Sequence, residues 1–280
     1  MKHYSDLAAE CRELVPDCDG LQEYEENIGS VTVKTLHIKT DSAAGRIGRN
    51  KGRYATLEIS SSLSGNINDL AEAIKQTALK MLPENPKTLL VAGLGNRSIT
   101  PDAIGPLAAA RIIATRHISE SLAEKIGLAE MESVAVIAPG VLGQTGIETA
   151  EIVKALAKVV SASCVIVIDA LTAASVTRLC NTVQITDSGI HPGSGVGNKR
   201  GEISEKTLGV PCIAIGVPTV VNAATLIGEA TGNSGYDAPE MIVTPKDIDS
   251  ITDTLSEIIA LGVNLALHPD MPPDAIRGIM

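Results

Sequence analysis

The sequence predicts an α/β fold, a doubly wound, mostly parallel sheet flanked by helices. Short apolar runs recur along the chain, Thr88–Ala92 (TLLVA), Ser133–Ala138 (SVAVIA), Cys164–Ile168 (CVIVI) and Pro211–Val217 (PCIAIGV). Such runs suit strands buried on both faces. Segments of helical character alternate with them, as in βαβ units. The composition agrees: 44% of the 280 residues are hydrophobic, yet there is no Phe, no Trp and only four Tyr. Val, Ile, Leu and Ala must therefore build the core, and β-branched residues favour strands.

In chain order, residues 1–30 are polar and read as irregular, with acids at Glu23, Glu25 and Glu26. Val31–Ile38 and Tyr54–Ile59 read as strands, within a small β-rich segment around 31–63. Between them, Lys39–Arg53 is rich in glycine and carries Arg46, Arg49, Lys51 and Arg53, which reads as a basic surface loop or a hairpin end. Ile67, Leu70, Ile74, Ala78 and Met81 follow helical spacing, so 67–81 is an amphipathic helix. The apolar runs then alternate with helices expected at about 105–116, 148–160 and 220–229. Thr182–Thr186 is a further strand with polar alternation, and 247–267 is a C-terminal helix. No internal repeat or low-complexity linker interrupts this scheme, so residues 1–280 read as one α/β domain.

Composition excludes several functions. The net charge is −10, which lacks the positive field of a nucleic-acid binder, and the scarcity of aromatics removes its stacking platforms. The same scarcity argues against carbohydrate stacking and methyl-lysine cages. No apolar run approaches the roughly 18 residues of a membrane span. The first ten residues lack the apolar stretch of a secretory signal. Five cysteines, an odd count without Cys-x-x-Cys, suggest a reducing compartment.

In doubly wound sheets the ligand site lies beyond the carboxyl ends of the strands. The first such loop is Gly93-Leu94-Gly95-Asn96-Arg97-Ser98-Ile99-Thr100-Pro101-Asp102. Its Gly-x-Gly resembles a dinucleotide fingerprint, but Ser98 stands where the third glycine belongs. Asp102 precedes the next helix, where an N-cap is the ordinary role. Asp169 directly follows Val-Ile-Val-Ile, which places a carboxyl at the sheet edge, where burial raises its pKa. The loop from Asp187 to Arg200 carries four glycines, His191, Lys199 and Arg200. It fails as a P-loop, and no Gly-x-Ser-x-Gly elbow or His-Glu-x-x-His helix occurs. What remains is a pair of carboxyls, Asp102 and Asp169, at one edge. Two carboxyls sharing a site have split pKa values, so one can act as base while the other stays protonated.

These loops, together with Ala138–Thr149, Val167–Leu171, the run from Gln184 through Arg200 to Ser204 and Ile213–Val221, resemble the germination protease family of spore-forming Firmicutes. The match is dense from about Lys51 to Thr225 and resumes at Val243-Thr244-Pro245. The resemblance implies a fold similar to the hydrogenase-maturation peptidases. It also implies an endopeptidase that initiates degradation of small acid-soluble spore proteins during germination. The chemistry it implies is of an atypical aspartic type, with Asp102 and Asp169 essential and no cofactor or metal. His191, Arg97, Glu148, Lys199 and Arg200 are expected to support the pair or bind substrate. The family implies a homotetramer in the cytoplasm of the forespore and in the spore core, without direct nucleic-acid or membrane contact. It also implies an inactive precursor that removes its own N-terminal segment. Ser5-Asp6-Leu7-Ala8-Ala9-Glu10-Cys11 is similar to the processing site, so cleavage between Asp6 and Leu7 is expected, with 1–6 as prosegment. The stretch between Leu226 and Val243 is shorter than the family's, and Asn222 and Ala174 stand where relatives often carry Asp and Arg. A metal-assisted peptidase of the hydrogenase-processing type, using Asp102, Asp169 and His191, and a non-catalytic protein on the same fold are the competing readings.

Overall fold

Strands that carry apolar residues at every position need cover on both faces, and the architecture supplies it. The computed structural model describes residues 5–59, 67–118, 132–193, 200–232 and 241–280. Among them run strands β1 (Leu21–Ile28), β2 (Val31–Ile38), β3 (Gly52–Ile59), β4 (Thr88–Gly93), β5 (Ser133–Ile137), β6 (Cys164–Ala173), β7 (Thr182–Thr186), β8 (Cys212–Asn222) and β9 (Ile242–Val243). The helices are α1 (Ala8–Glu13), α2 (Asp41–Ile47), α3 (Ile67–Met81), α4 (Ile104–Ala109), α5 (Leu142–Thr145), α6 (Thr149–Val159), α7 (Glu205–Leu208), α8 (Ala223–Thr231), α9 (Ile248–Leu267) and α10 (Pro273–Ile279).

All strands join one sheet in the order β1-β2-β3-β7-β8-β6-β4-β5, with β9 against the end of β8. The pairings β4–β5, β4–β6 and β6–β8 are parallel. The remaining pairings between named strands are antiparallel, so the sheet is mixed and its parallel character is confined to one half. For β1 and β2 the reason is connectivity: a tight turn joins them, which permits only antiparallel pairing, whereas parallel neighbours need a crossover. The β-rich segment seen in the sequence continues the main sheet through β3–β7.

The two faces carry separate cores. Leu89 and Val91 of β4 pack with Ile166, Ile168, Ile213 and Ile215 under α3, α4 and α9. Leu90 and Ala92 point the other way, against Val153 and Ala157 of α6 and Leu208 of α7. This is the period-2 alternation of a strand with both faces buried. By length and composition α9 would reach across a bilayer, but 67% of its apolar window is buried in the fold.

Three segments differ from expectation. Residues 1–30 are not wholly irregular, since they contain α1 and β1. β1 is an edge strand with Gln22–Glu25 exposed, so no apolar alternation marks it. The expected basic loop 39–53 contains α2, capped by Thr40, whose hydroxyl accepts from Ala43 N at 3.2 Å, and closed by Gly48 at φ 72°. Finally, β6 and β8 run on past their apolar runs because they keep pairing with each other through Ala173 and Val221. Val220–Asn222, expected in a helix, are therefore strand.

Candidate active site

Asp169 is not beyond the strand but inside β6. The partner β4 ends one residue earlier, with Gly93 opposite Ile168, so β6 projects past it. Leu94 N still donates to Ile168 O at 2.8 Å, and there the chain turns away into the loop that carries Asp102. Asp169 is only 4% exposed, and its Oδ1 accepts from Ala170 N at 2.9 Å. Burial holds its carboxyl well above the usual carboxylate range, and the neighbouring Asp102 raises it further.

Asp102 closes a single 3₁₀ turn, Thr100–Asp102. It is not the N-cap of α4: that position is Ala103, and no side chain caps the helix. Its Oδ2 instead reaches back to accept from Asn96 N at 2.7 Å. Gly95 makes this return possible. It sits at φ 110°, and a Cβ there would lie 2.0 Å from Asp102 O. Thr219 Oγ1 on β8 donates to Pro101 O at 2.7 Å and fixes the turn to the sheet. Asn96 Oδ1 accepts from Gln144 Nε2 at 2.9 Å, tying the Pro139–Gly146 loop to the same corner. Burial raises the pKa of Asp102 as well, against the pull of the Asn96 hydrogen bond and the Arg200 charge.

Both carboxyls line a cleft of about 390 Å³, together with Asp6, Thr149, Leu171, Thr172 and Arg200. The N-terminal segment meets it at Asp6, just before α1. Asp6 N donates to Thr172 O, and Thr172 N donates to Asp6 Oδ2, each at 2.9 Å. Leu7 is fully buried against Leu171, Ala173 and Val221. Gln184 on β7 accepts from Ala8 N at 2.7 Å and donates to Asp6 O at 3.2 Å. Glu10 is fixed by Ala174 N at 2.7 Å and by the Ser5 hydroxyl.

Among the remaining expected residues, Arg200 faces the pair, and its positive charge draws both carboxyl pKa values down. His191 lines an adjoining cavity with Asp6, Arg49, Tyr54 and Gln184 and lies 3.7 Å from Glu202. The trio Asp102, Asp169 and His191 does not come together as a cluster among the described residues. Arg97 is exposed in its loop, and Glu148 is the N-cap residue of α6, with no capping bond from its side chain. Lys199 lies outside the described residues. Sequence reasoning missed the placement of Asn96 and Gln184. The signal for Gln184 was a polar residue between Val183 and Ile185 in a strand buried at every position.

A family model for germination protease, Peptidase_A25, matches residues 3–233. The chain belongs to the germination protease family. The germination protease of Clostridium perfringens is 36% identical over 311 residues, covering 95% of each chain. That of Bacillus velezensis is 33% identical, covering 96% of this chain and 94% of its own. That of Priestia megaterium is 41% identical over 80% of this chain and 65% of its own. The resemblance read from the strand-end loops therefore holds, and it favours a spore protease over the hydrogenase-processing alternative. Among solved structures, the [NiFe] hydrogenase maturation protease HycI of Thermococcus kodakarensis is 15% identical. It covers 67% of this chain and 98% of its own, with a TM-score of 0.38.

Proposed function

We propose that this protein is an aspartic-type endopeptidase that initiates degradation of small acid-soluble spore proteins during germination. The observation that carries the reading is the carboxyl pair Asp102 and Asp169 in one cleft, both with raised pKa values, in a chain of the germination protease family. The more deeply buried Asp169 is the acid and stays protonated, so it can protonate the leaving nitrogen. Asp102, nearer solvent and beside Arg200, is the base that takes a proton from the attacking water. The water oxygen bonds to the carbonyl carbon, the C–N bond breaks, and the leaving nitrogen takes up a proton from the acid. Arg200 facing the pair balances the negative charge. Water and two carboxyls supply every atom and proton in this scheme.

The same cleft carries the self-processing reading. Supporting it, Asp6 makes two hydrogen bonds with Thr172 of β6, and the side chain of Leu7, just before α1, is buried. Cleavage of this bond converts a precursor of the spore-core homotetramer to the mature enzyme. The test is digestion of a purified small acid-soluble spore protein, with products mapped by mass, by wild type and by Asp102→Asn and Asp169→Asn. Wild type yields discrete fragments and both variants leave the substrate intact. Unchanged digestion by both variants would sink the assignment of the pair.

A further inference from the structure

Gln184 occupies a position that packing alone does not account for. β7 is buried at every residue, and Gln184 is 6% exposed. A buried primary amide needs partners for its donors and its acceptor, and leaving one unpaired costs about 1–3 kcal/mol. Among the described residues, its side chain makes two hydrogen bonds, and both go to the N-terminal segment. Neither partner belongs to the sheet that holds Gln184.

The register explains how it reaches the cleft. Gln184 on β7 lies opposite Gly216 on β8, and Gly216 lies opposite Asp169 on β6. Directly opposed residues of neighbouring strands project to the same face. Gln184 and Asp169 therefore stand on one face, two strands apart, with a residue that has no side chain between them. Leu171 fills that gap: a Cβ on Gly216 would lie 2.5 Å from Leu171 Cδ1. Leu7 of the segment packs on Leu171 in turn. The Asp6–Leu7 peptide thus passes over a floor with Asp169 to one side and Gln184 to the other. Gln184 holds it at two points, donating from Nε2 to the Asp6 carbonyl and accepting at Oε1 from Ala8 N.

We propose that Gln184 is a substrate-positioning residue of the peptidase, gripping the peptide on both sides of the bond to be cut and donating a hydrogen bond to the scissile carbonyl oxygen. This rests on the reading that the Asp6–Leu7 bond is a substrate of the same site. The carbonyl oxygen is where negative charge develops when water adds, and a fixed amide donor stabilises that charge. The bond that Gln184 Oε1 accepts from Ala8 N sets the register of the chain, so a single side chain selects which peptide bond is presented.

The experiment uses the full chain and follows self-cleavage by intact mass from pH 5 to 8, with circular dichroism at each pH. In Gln184→Glu the acceptor for Ala8 N is kept and the donor to Asp6 O is lost while the carboxyl is ionised. At pH 8 its rate constant should be about 10²-fold below wild type, the cost of one such donor. Burial at this position raises the carboxyl's pKa above its free value, and protonation restores an O–H donor of the same shape, so the deficit should shrink toward threefold or less as pH falls to about 5. Gln184→Leu lacks both bonds and should be impaired at every pH. A Gln184→Glu rate equal to wild type at pH 8, or a deficit that does not change with pH, overturns the role of Gln184. The Gln184→Glu series decides this alone if Gln184→Leu does not fold. A wild-type chain that never cuts between Asp6 and Leu7 removes the self-processing reading and this inference together. A wild type that cuts, beside variants that cut equally fast, removes only the inference.

Discussion

Replacing Gly105 by alanine tests the packing that positions Asp102. Gly105 lies within α4 and its φ lies outside the left-handed region, so its backbone suits any residue. By propensity alone, Gly→Ala in a helix stabilises by about 0.5–1 kcal/mol. The structure reverses the sign. A Cβ at Gly105 would lie 2.2 Å from Leu94 O, 2.4 Å from Ile168 O and 2.6 Å from Leu94 N. All three atoms are backbone, and two belong to the hydrogen bond that ends the β4–β6 ladder. They cannot rotate aside, so α4 must withdraw by about 1 Å to restore van der Waals contact. Overpacking of this kind costs about 1–3 kcal/mol, which in a chain of this size lowers the melting temperature by about 2–5 °C. The displacement is passed to Asp102, two residues before α4 begins, and a misplacement near 1 Å costs about 10²-fold in rate. Gly278→Ala is the control. It also lies in a helix, but nothing lies within 4 Å of its Cβ position, so its effect should be neutral or stabilising by up to about 1 kcal/mol. Melting by calorimetry and cleavage of a spore-protein substrate would be measured for both. A Gly105→Ala protein that melts at or above wild type and cleaves at the wild-type rate would refute the close approach.

Two further outcomes follow from burial. Asp169 has a folded-state pKa above its unfolded value, so its charge is penalised only in the folded state; the penalty is absent below the unfolded value and grows as pH rises toward the folded one. Asp169→Asn should therefore melt higher than wild type at pH 8 and no higher near pH 4, and a gain that fails to shrink on acidification contradicts the assignment. Burial pushes the thiols of Cys164 and Cys180 up to about 12 and that of Cys212 higher still. Iodoacetamide at pH 8 should label native protein only at the half-buried Cys11 and Cys18, read by peptide mass, and modification of the buried three at the rate of the unfolded chain would count against this core.

The parallel half of the sheet was legible because both of its faces are covered. Leu89–Ala92 and Cys164–Ile168 are apolar throughout, and their shortness marks them as strands rather than buried helix. The amphipathic spacing of 67–81 was equally plain. β1 was hidden for the opposite reason: an edge strand with solvent on most of its residues carries no alternation to read. α2 was hidden by the glycines and basic residues in and around it, although Thr40 and Gly48 are capping residues at the right separation.

Local order in this chain determined the strand-end loops and, through them, both aspartates and the family, because residues next to a buried strand must emerge at its edge. The sequence could not decide how far β6 and β8 run, since their last residues are strand only by pairing with each other. That extension places Asp169 inside the sheet, where burial and the neighbouring Asp102 raise its pKa. Nor could the sequence bring Asp6, Thr172 and Gln184 together, because those contacts join residues as much as 178 positions apart. Only the folded sheet sets that register, and with it which peptide bond lies across the cleft.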